Sequence, residues 1–156
     1  MLKTIKSFLL FSLVLLSVVS HAEIRSIPKA PEVSAKSYIL QDFASGHILA
    51  ASNAELRLPP ASITKLMTAY IVSNELSSGN IALEDDVLIS EKAWRMLGSR
   101  SFIEVNTKVT VGVLLRGMII QSGNDAAVAL AEHVAGSEET FSQMMNQYAQ
   151  QLGMFD

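Results

Sequence analysis

The longest apolar stretch stands near the start of the chain, from Phe8 to Val19, interrupted only by Ser12 and Ser17. Lys3 and Lys6 precede it and Ser20-His21-Ala22 follow it. A short positive segment, an apolar run and small residues behind it form the pattern of a secretory signal peptide, with cleavage expected after Ala22. The apolar run is about twelve residues, against roughly 20 for a membrane-spanning helix, which argues against a retained anchor. Residues 23–36 contain Pro28 and Pro31 and show no apolar period, so they read as an extended leader.

Beyond the leader the pattern shortens and then turns helical. Ser37 to Asp42 predicts a strand, Ala44-Ser45-Gly46 a turn, and His47 to Ser52 a partner strand. Such a hairpin is marginal by itself. Pro59-Pro60 marks a boundary, after which a helix is expected from Ala61 or Ser62 to about Ser73, with Leu66, Met67, Tyr70 and Ile71 facing the core. Ser77 to Asn80 reads as a loop, Val87-Leu88-Ile89 as a short strand, Glu91 to Leu97 as a short helix, and Gly98 to Ser101 as a turn. Phe102 to Val105 alternates and is weakly strand-like. Thr110 is positioned to cap a helix running through Gln121, with Val113, Leu114 and Met118 on its apolar period. Ser122-Gly123-Asn124 breaks it. A second helix, Asp125 to Ala135, carries Val128, Leu130 and Ala131 and stops at Gly136. Ser137 with Glu138 and Glu139 opens a third, which is expected to bury Phe141, Met144, Met145 and Tyr148 and to end near Leu152-Gly153.

Charge narrows the function classes. The chain has 12 Lys and Arg against 15 Asp and Glu, a net charge of -3, which falls to -5 once Lys3 and Lys6 leave with the signal. No basic cluster argues for nucleic acid or an anionic membrane surface. The length after cleavage suits one modest core. The absence of cysteine rules out disulfides, a thiol nucleophile and a thiolate metal site. His47, expected in a turn, and His133, expected on a helix surface, are far apart, whereas zinc wants three or four protein ligands.

Two short motifs carry candidate chemistry. Ser62-Ile63-Thr64-Lys65 puts a hydroxyl and an amine three residues apart, on one face of a helix. A serine is a weak nucleophile until a base takes its proton, and a lysine one turn away is placed to do so. The plainer reading is a helix-capping serine and an exposed lysine, and Ser26-Ile27-Pro28-Lys29 repeats the pattern in the leader, where the proline disfavours a helical turn. Ser122-Gly123-Asn124 sits between two helices, where a tight loop projects polar side chains into a cleft. Its plainer reading is a helix stop followed by a cap, and Ser78-Gly79-Asn80 repeats it in a polar loop. By pattern alone neither motif outweighs its plainer reading.

With its flanks, Leu58-Pro59-Pro60-Ala61-Ser62-Ile63-Thr64-Lys65-Leu66-Met67-Thr68 resembles the nucleophile segment of the serine D-alanyl-D-alanine carboxypeptidases, the low-molecular-mass penicillin-binding proteins. Ile120-Gln121-Ser122-Gly123-Asn124-Asp125-Ala126 resembles their second motif, sixty residues on. Gly98-Ser99-Arg100, Leu114-Leu115-Arg116-Gly117 and Ala135-Gly136-Ser137 look familial too, and the resemblance runs from about residue 35 to the last. It is closer than that to the class A β-lactamases, which share the general motif set.

The resemblance implies an α/β penicillin-binding, serine β-lactamase-like fold, a helical region with an antiparallel sheet, in residues 37–156. It implies a substrate, the peptidoglycan stem peptide ending in D-Ala-D-Ala, with Ser62 attacking the penultimate D-Ala carbonyl and releasing the terminal D-Ala. Lys65 would accept the Ser62 proton, Ser122 would relay a proton to the leaving amine, and Asn124 would bind substrate backbone and help hold Lys65. The Ser62 N–H would be one oxyanion donor, and β-lactams would acylate the same serine. The resemblance implies no metal or organic cofactor, and localisation would be the bacterial periplasm. In relatives a third motif, Lys-Thr-Gly or a close variant, lies on a downstream edge strand, and some carry a C-terminal amphipathic membrane anchor. Neither occurs in these residues. The chain is therefore expected to be an incomplete N-terminal part of the domain with most of the sheet missing, poorly stable and inactive. A related β-lactamase or endopeptidase, and a remnant that binds cell-wall peptide or penicillin without turnover, are the competing readings.

Overall fold

The computed structural model describes residues 32–155, so the expected signal peptide (1–22) and most of the leader (23–36) lie outside the described residues. The chain divides into two compact units between Arg57 and Leu58, beside Pro59-Pro60.

The first unit is the expected hairpin. Strand β1 (Tyr38–Gln41) pairs antiparallel with β2 (Ile48–Ser52), Ile39 opposite Ala51, and the register shifts between Leu40 and Gln41. Asp42 Oδ1 accepts from the Ser45 N–H (2.8 Å) and hydroxyl (2.5 Å), the short-range bonding that makes Asp a turn residue. These bonds, the hydroxyl's first and the N–H's second, hold the Asp42 carboxyl below the usual carboxylate range. Gly46 follows at φ +71°, a conformation that costs a residue with a Cβ. His47 lies exposed in this connection. Ile39, Leu40, Ile48 and Leu49 are each at least half exposed.

The second unit opens with a 3-10 turn, Ala61–Ile63, continued by α1 (Thr64–Ser77). The helix runs four residues past the expected Ser73. Its buried stripe is Thr68, Ile71 and Val72, a spacing of three and four, while Leu66 and Tyr70, expected in the core, are 71% and 42% exposed. The apolar surface of α1 is thus wider than its buried face, and sequence spacing located the stripe one position out of place. Tyr70 instead meets the Tyr148 ring edge-on at 5.7 Å.

Strand β3 (Asp86–Leu88) pairs antiparallel with β4 (Lys108–Thr110), Val87 opposite Val109. Phe102–Val105, weakly strand-like by its alternation, is not a strand. Phe102 sits at φ +59°, and the N–H groups of Ser101 and Ile103 go to the Asp125 carboxylate instead of to a neighbouring strand. Helix α2 (Glu91–Trp94), capped by the Ser90 hydroxyl, is shorter than the expected Glu91–Leu97. Its Trp94 carbonyl accepts from Arg100 Nη2 at 2.6 Å and the Leu97 carbonyl from Asn124, so side chains take the acceptors that more helical turns would use.

Helix α3 (Val111–Gln121) begins after Thr110, whose hydroxyl makes no cap bond. The free N–H groups of its first turn find backbone carbonyls: Val111 donates to Asp85 and Gly112 to Leu83. Helices α4 (Asn124–Ala135) and α5 (Glu138–Gln151) follow, the latter capped by the Ser137 hydroxyl on the Thr140 N–H at 3.0 Å. Val72, Val87, Ile89, Leu114, Met118 and Leu130 belong to the main core, and Ile71, Ala131 and Phe141 form a second cluster that seats α5, with Met144, Met145 and Tyr148 half-buried against it. Val113 points outward, 47% exposed. His133, expected on the surface, is half-buried with its Nε2 enclosed and unpartnered. No described helix is long and apolar enough to cross a membrane.

Candidate active site

Of the four residues singled out in sequence, Ser62, Lys65 and Asn124 are joined at one amine, and Ser122 shares a cleft with Ser62 and Lys65. Ser62, in the 3-10 turn, and Lys65, in the first turn of α1, lie on one face because the chain is already helical there, and Lys65 Nζ stands 3.3 Å from Ser62 Oγ. The same nitrogen donates to Asn124 Oδ1 at 2.6 Å. Ser62 is exposed and Lys65 half-buried. Ser62 makes no capping bond, so the plainer reading of that residue finds no support.

The second motif is positioned by a helix break. Ser122 ends α3 in the left-handed region (φ 56°, ψ 35°), and Gly123 starts α4 in an extended conformation. Ser122 lines a cleft of about 150 Å³ together with Ser62, Lys65, Leu66 and Met118, without a hydrogen bond to Ser62 or Lys65. Ile63, Leu66, Ile119 and Ile120, all more than 60% exposed, give this part of the surface an apolar character. On the Asn124 side, Lys65 also lines a cleft of about 270 Å³ with Thr64, Thr68, Met96 and Glu138.

Asn124 is held at three points. Its Oδ1 accepts from Lys65, its Nδ2 donates to the Leu97 carbonyl at 2.6 Å, and its backbone N–H donates to the Ser99 carbonyl at 2.7 Å. The intervening Gly98 has φ +87°, and a Cβ there would come within 2.9 Å of Asn124 Nδ2. Only glycine lets the loop approach this closely.

Sequence reasoning missed the support behind the motif. Arg100, Ser101 and Ile103 converge on Asp125, which is fully buried. An acid in the first turn of a helix ordinarily reads as an exposed partner of the helix dipole. The one available signal was its place between Asn124 and the small apolar run Ala126-Ala127-Val128. Among the described residues no group of His, Asp and Glu is arranged to hold a metal ion.

Solved structures with this fold are penicillin-binding proteins. The D-alanyl-D-alanine carboxypeptidase DacD of Francisella tularensis superposes with a TM-score of 0.70 at 38% identity, over 85% of this chain and 32% of that one. Penicillin binding protein 5 of Haemophilus influenzae superposes with a TM-score of 0.69 at 45% identity, over 81% and 38%. The helices and small antiparallel sheets described above are thus part of a penicillin-binding, β-lactamase-like fold.

The sequence profile of the D-alanyl-D-alanine carboxypeptidases, peptidase family S11, matches residues 24–156, and the chain belongs to that family. Among curated relatives, DacA of Haemophilus influenzae is 44% identical over 97% of this chain and 40% of its own length. DacC of Escherichia coli is 46% identical over 81% and 33%. The chain therefore spans between a third and two fifths of these relatives.

Proposed function

We propose that this protein performs serine D-Ala-D-Ala carboxypeptidase chemistry on the bacterial cell wall, through an acyl-enzyme on Ser62. The observation that carries the reading is the single amine, Lys65 Nζ, lying 3.3 Å from the Ser62 hydroxyl and 2.6 Å from the Asn124 carboxamide. A serine needs an adjacent base to become a useful nucleophile, and a base needs a third group to orient it.

Ser62 Oγ attacks the carbonyl of the penultimate D-Ala of a peptidoglycan stem peptide while Lys65 takes its proton. Collapse of the tetrahedral intermediate expels the terminal D-Ala, whose amine receives a proton relayed through Ser122, and water then hydrolyses the ester. Ser122 suits the relay because its left-handed backbone sets it in the cleft shared with Ser62 and Lys65. Asn124 orients Lys65 and offers its amide to substrate backbone. A β-lactam presents a strained amide to the same serine and leaves an ester that hydrolyses slowly. The positive segment and apolar run at residues 1–22 support export, and a D-Ala-D-Ala substrate is met in the periplasm.

The test is intact-mass analysis of the protein with a labelled penicillin, alongside Ser62→Ala, followed by assay of D-Ala release from a pentapeptide and cleavage of a cross-linked dipeptide. The reading expects one adduct, mapped to Ser62 and absent from S62A, with D-Ala released. An adduct without release assigns the chain a binding role without turnover. Cleavage of the cross-linked peptide alone makes it an endopeptidase, and a penicillin hydrolysed rapidly makes it a β-lactamase. No adduct on the folded protein refutes the reading.

A further inference from the structure

The most deeply buried ionisable group in the described chain has no part in the Ser62 reaction as written. Asp125 has 0% of its surface exposed. A carboxylate is kept in such a place only where donors replace the water it has lost. Here the Ser101 N–H reaches Oδ1 at 2.8 Å and Oδ2 at 3.0 Å, the Ile103 N–H reaches Oδ2 at 3.3 Å, and Ala126 N–H reaches Oδ1 at 2.9 Å. The Arg100 guanidinium stands 3.9 Å away, shelved over the Phe102 ring.

All of these groups except the Ala126 N–H come from one irregular segment, residues 97–103. The same segment supplies the two carbonyls, Leu97 and Ser99, that grip Asn124. It therefore holds the second motif at one end and is held by the next residue, Asp125, at the other. Gly123 completes the grip, since a Cβ there would collide with Ser101 Oγ and lie 2.8 Å from Asp125 Oδ1.

We propose that Asp125 is a positioning residue: its carboxylate fixes the 97–103 segment, whose carbonyls orient the Asn124 carboxamide onto Lys65. The consequence for catalysis rests on the Ser62 reading above; the effect on Lys65 does not. An apolar residue would pack as well but would leave the Ser101 and Ile103 N–H groups without partners. An asparagine has one acceptor where the carboxylate uses two, and turns an NH₂ toward a backbone N–H.

The experiment compares the parent protein with Asn124→Ala, Asp125→Asn and the double variant. It reads amide hydrogen exchange across residues 97–103, the rate at which a small amine-reactive label modifies Lys65, and the rate of Ser62 acylation by a labelled penicillin. D125N is expected to speed exchange at Ser101 and Ile103, to change Lys65 labelling in the same direction as N124A, and to slow acylation about tenfold. The double variant is expected to acylate and label no differently from N124A, because both changes act through one contact. A merely structural role would speed exchange while leaving Lys65 labelling at the parent rate, or would give penalties that multiply in the double variant, and either result overturns the proposal. If the parent takes no penicillin at all, the Ser62 reading falls while exchange and Lys65 labelling still decide the role of Asp125. Should D125N not fold, Asp125→Glu, which keeps the charge and displaces it by one methylene, is read in the same way.

Discussion

Replacing Asn124 with alanine removes two side-chain hydrogen bonds of unequal value. The bond from Nδ2 to the Leu97 carbonyl, 2.6 Å long, ends on a residue 84% exposed, so water takes over that carbonyl at little cost. The bond from Lys65 Nζ to Oδ1, also 2.6 Å, involves a half-buried amine. Lys65 gains charge as it takes the Ser62 proton, hydrogen bonds to charged groups contribute about 1.5–3 kcal/mol, and the partial exposure of Lys65 puts this one toward the lower end. If the bond holds the amine over Ser62 Oγ, that loss falls on the acylation barrier and slows the reaction about tenfold to thirtyfold. Global stability should drop by no more than about 2 kcal/mol, because the backbone bond to Ser99 is kept. Stopped-flow acylation with a fluorescent penicillin gives the first quantity and urea unfolding the second. Parental acylation by a folded N124A would refute the idea that Asn124 orients Lys65. A fall in stability that accounts for all lost acylation through unfolded protein would refute it equally.

Two further predictions concern the helices that frame the site. Phe141 is 2% exposed and joins α5 to Ile71 and Ala131, so Phe141→Ala should destabilise the protein by about 3–5 kcal/mol in urea unfolding, and a loss under about 1 kcal/mol would show that α5 is not seated by that side chain. Lys92 bonds Glu138 and Glu139 at 2.9 and 2.8 Å in the first turn of α5. The bond to Glu139, then that to Glu138, raises the Lys92 pKa, and Lys92 in turn lowers that of Glu139. The Glu139 contribution is therefore present above the ordinary glutamate value of 4.5 and lost as pH falls through its lower folded value, while the Lys92 contribution is present below 10.5 and lost only as pH rises through its higher folded value. Thermal unfolding at low salt should show Lys92→Met less stable than the parent at neutral pH, with the gap closing on acidification; an unchanged gap at about pH 2 would discount the pair.

What was legible in the sequence divides along local and non-local causes. The hairpin, the helices around Ser62 and Ser122, and the Ser137 cap all follow from spacing and turn chemistry within a few residues. The segment 97–103 did not. Its alternation at Phe102 to Val105 imitates a strand, but its conformation is set by Asp125, more than twenty residues on. The Thr110 cap failed for a related reason: carbonyls at Leu83 and Asp85 reached the helix start first. Burial of an acid is the least legible feature of all, because composition treats Asp as a surface residue and only the assembled donors reverse that expectation.

The plainer reading of Ser122-Gly123-Asn124 is a helix stop and a cap. The stop is real: Ser122 adopts the left-handed conformation that ends α3, and Gly123 turns the chain into α4. The cap is not, because Gly123 at the N-cap position makes no side-chain bond and the first-turn N–H of Ala126 is met by Asp125, not by Ser122 or Asn124. Asn124 spends its carboxamide on Lys65 and Leu97 instead. A residue chosen only to start a helix gains nothing from reaching across to α1 for an amine. The break and the site are therefore one device, in which interrupting the helix aims Ser122 into the Ser62 cleft and Asn124 at Lys65, and a continuous helix through these residues would lose both.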